Sequence, residues 1–188
     1  MDNIEARIAA IESILEGKRV ESERVDISIR GAVLGFPAML EAFSPHFPFG
    51  LNYIVETKIV DDPSQPPDDD ALKITITPRI ARGFMGKLFR LFLFEPKGQS
   101  VDEPRIDSAF VCSYNNRDEA KRFGRYPGVA EKLVALQRCS NFSELLIKAD
   151  AGLYLAQPVS FDHIDVDVCR EIFRLMGELG QVLFDGFS

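Results

Sequence analysis

The chain has 188 residues, of which 46% are hydrophobic and 27% charged, and its formal net charge is −7. Such a composition folds around a core, and the length fits one domain, 1–188, better than several. The negative balance argues against nucleic acid as a partner, because phosphate binding draws on clustered cations.

Cys112, Cys139 and Cys169 are odd in number and widely spaced. Neither a disulfide framework nor a zinc site is expected from them. The N-terminus carries Asp2 and Glu5 where a secretory signal would be basic and then apolar. The uncharged run 42–55 is interrupted by Pro45 and Pro48 and is too short to span a bilayer. The expectation is a soluble cytoplasmic protein with reduced thiols and no cofactor.

In chain order, Ile4, Ile8, Ile11 and Leu15 recur at helical spacing and Gly17 supplies a stop, so residues 3–16 form the first helix. Val25, Ile27 and Ile29 alternate with polar residues, a strand pattern. Pro37 suits the first turn of a short helix ending at Phe43. The prolines of 44–50 mark a loop. A strand follows over 51–60, then an acidic, proline-rich loop over 61–70. Leu72, Ile74 and Ile76 alternate as a further strand that Pro78 ends. Residues 79–92 return to helical spacing, and 97–104 form a polar connection.

Residues 109–114 read as a strand. Asn116 and Glu119 together mark a helix start, with that helix ending near Gly124. Pro127 opens a second helix to about Arg138. Strands over 144–148 and 153–156 flank a turn at 150–152. The last helix, 166–184, places Val168, Ile172, Leu175, Met176, Leu179 and Leu183 on one face.

The order strand, helix, two strands, helix is thus read twice, in pseudo-halves 19–96 and 105–186. The expected fold class is α+β: an antiparallel sheet with helices on one side, built by duplication around one shared core.

The second half carries Ile106, Asp107, Phe110, Val111, Ser113, Asn115, Tyr126, Pro127, Gly128, Val129, Leu133, Leu146, Ile147, Gly152 and Leu153. In these positions residues 105–184 resemble an uncharacterised bacterial family whose members often carry membrane helices before this region. Where that family has a Phe-Asp pair this chain has Ile106 and Asp107, and membrane helices are absent. The family has no assigned activity, so the resemblance implies no catalytic residue. The element order also resembles small-molecule sensing domains of the effector-binding type, at the level of fold alone.

Three features bear on function. Arg79, Arg82, Lys87 and Arg90 fall on one face of the 79–92 helix, with no anion among them. They are the candidate site for an anion, an acidic partner or a membrane surface. The alternative is an ordinary core helix with a solvated basic face. Gly83 and Gly86, and Gly177 and Gly180, sit at equal spacing in two helices, where each interior glycine costs about 1 kcal/mol against alanine. A close backbone approach, by a neighbouring helix or a ligand, would explain them.

Of the two histidines, His46 lies in the proline loop and His163 beside a helix start, neither at metal-ligand spacing. Asp162, Asp165 and Asp167 suit the capping of the last helix. Asp61, Asp62, Asp68, Asp69 and Asp70 lack the spacing of a calcium loop. Gly83 to Lys87 is not a phosphate loop, and no nucleophile elbow is present.

The leading expectation is a non-catalytic intracellular module binding a small molecule or a protein, with the seam between the two halves as the candidate place. Peripheral membrane association and an enzyme assembled from scattered residues are the alternatives.

Overall fold

A computed structural model describes residues 3–23, 25–43, 50–57, 71–79 and 98–187. The described helices are α1 (Asn3–Leu15), α2 (Pro104–Ala109), α3 (Arg117–Arg125), α4 (Val129–Ser140) and α5 (Val166–Phe187), with a 3₁₀ turn at Phe161–His163. The strands are β1 (Lys18–Val20), β2 (Ile27–Val33), β3 (Phe36–Phe43), β4 (Gly50–Glu56), β5 (Lys73–Pro78), β6 (Phe110–Tyr114), β7 (Glu144–Lys148) and β8 (Gly152–Gln157). They form one antiparallel sheet in the order β1-β2-β3-β4-β8-β7-β5-β6. The α+β class and the antiparallel sheet are as expected.

The helix expected over 37–43 is strand β3. Ala38, Leu40 and Ala42 are buried while Pro37, Met39 and Glu41 are not, a period of two. Pro37 is tolerated because its only strand partner is Ala32. Its nitrogen points away from β2, on the side where the β4 pairing has not begun, so no ladder bond is lost. The preceding turn, Leu34 and Gly35, has φ of 49° and 85°, the left-handed pair that a two-residue hairpin requires.

This strand removes the helix from the first half, so the strand-helix-strand-strand order is not met over 27–56. Strand β5, from the same half, lies between β7 and β6 of the second. The pairing therefore does not carry the duplication that the element order suggested.

Two short elements are new. Strand β1 extends the sheet beyond β2, and α2 occupies the end of the connection at 97–104. Pro104 opens α2 and the Glu103 side chain accepts from the Arg105 amide.

The inward positions of the strands meet α1 and α5, with α4 packed against α5. Ile172, Phe173, Met176 and Leu179 of α5 are fully buried. Each such side chain contributes about 1.5–3 kcal/mol relative to exposure.

Each edge strand has outward backbone groups already engaged. The Arg19 amide donates to Glu12 Oε1 at 2.7 Å. On the β6 side, the Tyr114 amide donates to Gln99 Oε1 at 2.7 Å and the Gln99 amide donates to the Cys112 carbonyl at 2.8 Å. These contacts occupy outward backbone groups that would otherwise recruit another strand.

Candidate functional site

The site is built where β4 pairs with β8. Leu51 lies opposite Gln157 and Tyr53 opposite Leu155. On β8 the inward positions run Leu153, Leu155, Gln157, so the third in an apolar series is an amide. Tyr53 and Gln157 are diagonal neighbours on that inner face, within reach of long side chains. The Tyr53 hydroxyl donates to Gln157 Oε1 at 3.0 Å. Gln157 Nε2 donates to the Ser140 carbonyl at 2.5 Å, and Ser140 Oγ donates to the Leu136 carbonyl at 2.5 Å. Tyr53, Ser140 and Gln157 are all buried. Buried polar groups persist when they satisfy one another in this way.

Above this floor opens a cleft of about 260 Å³, lined among others by Arg138, Cys139, Asn141, His163 and Asp165. One wall is the C-terminal end of α4, which Asn141 closes in a left-handed conformation. The other is the approach to α5. There Asp165 Oδ1 accepts from the amides of Asp167 at 2.9 Å and Val168 at 3.3 Å, so it caps the helix as its position suggested. Arg138 and His163 are exposed on the rim.

Titration of the buried groups follows from their surroundings. Burial, reinforced by the adjoining Cys169 thiol, holds the Tyr53 hydroxyl far above its ordinary range. Burial pushes Cys169 up to about 12. Cys139 is raised too, by burial first and the Glu171 carboxylate second. These thiols are protonated at neutral pH, the unreactive form. The groups that would serve a nucleophile and base are thus a protonated thiol, a capping carboxylate and a rim imidazole. Among the described residues, no group of three or more His, Cys, Asp or Glu side chains is placed to hold a metal ion.

Of the cationic residues singled out in the sequence, Arg79 lies just beyond β5. Its amide donates to the Ala109 carbonyl at 3.0 Å and its Nε to the Asp107 carbonyl at 3.3 Å. Arg82, Lys87 and Arg90 lie outside the described residues, as do Gly83, Gly86, His46 and the acidic loop 61–70. Among the described residues, no helix is long and apolar enough to cross a membrane.

Gly177 and Gly180 do mark a close approach, but what approaches is side chains, of Leu34 in the β2–β3 turn and of Thr57 after β4, and not a backbone. A Cβ on Gly177 would come within 3.1 Å of Leu34 Cδ1, and one on Gly180 within 3.2 Å of Thr57 Cγ2. The sequence reading passed over Tyr53, Arg138, Asn141 and Gln157. The available signal was Gln157, a polar residue at an inward position of an alternating strand.

Comparison of the chain with protein-family models, with curated proteins and with solved structures finds no match.

Proposed function

We propose that this protein is a non-catalytic binding module that takes a small polar ligand in the cleft at the end of the β4–β8 pair. The observation that supports this reading is the buried chain Tyr53–Gln157–Ser140 beneath an open, polar-rimmed cleft. A concave site with a preformed floor and a few polar groups at its mouth is the usual form of a small-ligand site. The floor joins β4 to β8, strands far apart in sequence that pair at the middle of the sheet. The protonated thiols and the engaged Asp165 carboxylate favour binding over nucleophilic chemistry.

The test is native mass spectrometry on protein purified from its own host, beside the Arg138→Ala and Asn141→Ala variants. A co-purified small molecule on the wild-type chain, depleted in both variants, is the expected result. A bound molecule retained equally by both variants would move the site elsewhere.

A further inference from the structure

The polar groups around the cleft narrow the chemistry of its occupant. We propose that the cleft takes a small zwitterion of the α-amino-acid type, an inference that rests on the small-ligand reading above.

Size is the first constraint. A volume of about 260 Å³ lies below the roughly 300–1,000 Å³ of sites for drug-sized molecules. A water occupies about 30 Å³ of liquid, so the cleft seats a group of roughly nine heavy atoms, the size of a small amino acid.

Charge is the second constraint, because the cleft carries both signs. Arg138 is exposed on the α4 side and makes no ion pair among the described residues. Its planar guanidinium matches a carboxylate with two parallel hydrogen bonds. Asp165 stands on the opposite side. Both capping amides use its Oδ1, and its Oδ2 accepts no hydrogen bond among the described residues. The C-terminus of α4 adds the negative end of a helix dipole. The free Asp165 Oδ2 is the acceptor for an ammonium group, while its Oδ1 answers the amides at the positive end of α5. A purely anionic ligand would meet Asp165 and the helix end unfavourably, and a purely cationic one would meet Arg138. A molecule carrying both groups satisfies both walls.

The floor is the third constraint. Tyr53, Gln157 and Ser140 already use one another. They ask for no charged group from the ligand, so discrimination falls to the rim.

Amide-resolved NMR titration of the full chain tests this. The ligands are glycine, L-alanine and L-serine, with 3-hydroxypropionate and ethanolamine as serine analogues lacking the ammonium and the carboxylate respectively. The expected result is a saturable shift of the Asn141, His163 and Val168 amides with at least one amino acid. For serine, each single-charge analogue should bind at least tenfold more weakly. Arg138→Ala, an exposed helix position, should weaken amino-acid binding at least tenfold and lower the melting temperature by no more than about 4 °C, the loss of a cation from the last turn of α4.

No saturable shift at the cleft with any of the three amino acids would overturn the inference. So would an analogue that binds as well as serine, or an unchanged affinity in Arg138→Ala. A small-molecule extract of the host separates this failure from a failure of the broader reading. An extract that shifts the cleft amides when the amino acids do not discards the zwitterion and keeps the small-ligand site. An extract that shifts none of them discards both.

Discussion

The two ends of the β4–β8 pair are buried alike and built in opposite ways. At one end Tyr53 and Gln157 are 0% and 8% exposed, and their polar atoms are satisfied. At the other, Thr57 is 7% exposed and its hydroxyl has no partner among the described residues. There Gly152 lets two backbones touch: a Cβ on it would lie 2.1 Å from the Val55 carbonyl oxygen. The Gly152 end is closed by backbone contact, and the open end keeps a hydrogen-bonded polar floor beneath a cleft. A sheet junction can supply stability at one end and recognition at the other, and burial alone does not say which is which.

Raising the pH loads Cys169, beside Tyr53 at the open end, and Cys112 at the sheet edge alike. Burial pushes Cys169 up to about 12 and Cys112, on β6, likewise up to about 12. The unfolded chain releases these protons first, since free thiols ionise near pH 8.5. Their contribution to stability is therefore complete below about pH 8.5 and is lost as pH rises toward about 12, at roughly 1.4 kcal/mol per thiol per pH unit. Urea midpoints between pH 8 and 11 should fall. Cys169→Ala should flatten that fall, and a slope unaltered by the substitution would detach Cys169 from it.

Gly152→Ala should break the closed end. The residue has φ of 142° and no space for a methyl group. A loss of about 2–4 kcal/mol is expected in urea denaturation, from backbone strain and overpacking together. A loss below 1 kcal/mol would mean that the two strands can part there.

Gln157→Leu should damage the open end by leaving the Tyr53 hydroxyl and the Ser140 carbonyl without their partner. About 1–3 kcal/mol is expected. Adding Tyr53→Phe should cost less than the sum of the single changes, because the two side chains share one interaction. Strict additivity would contradict the hydrogen bond between them.

Thr57→Val gives the smallest effect and the opposite sign. It keeps the methyl against Gly180 and removes the unpartnered hydroxyl, so a gain of about 1 kcal/mol is expected. A loss would reveal a partner for that hydroxyl.

The helical part of the second half was legible because its signals are local. The Asn116 side chain accepts from the Asp118 and Glu119 amides, as its spacing from Glu119 implied. The apolar face of α5 repeats at helical spacing and is buried as read, except for the half-buried Val168 at its start. Pro37 misled because proline fits both a first helical turn and a strand end beside a hairpin. The turn before it uses Leu34 where an asparagine or aspartate would have announced it. The cleft was not legible because its floor joins residues 104 positions apart. His163 was noted beside the last helix, yet nothing in the local sequence brings it near Tyr53.

If the cleft at the end of the β4–β8 pair is the ligand site, amide hydrogen exchange with and without the host's small-molecule fraction should show it. Slowed exchange is expected at 138–141, 157–159 and 163–168, with Thr57 and Gly152 unchanged. Protection centred on Thr57 and Gly152, or none at the cleft, would contradict it.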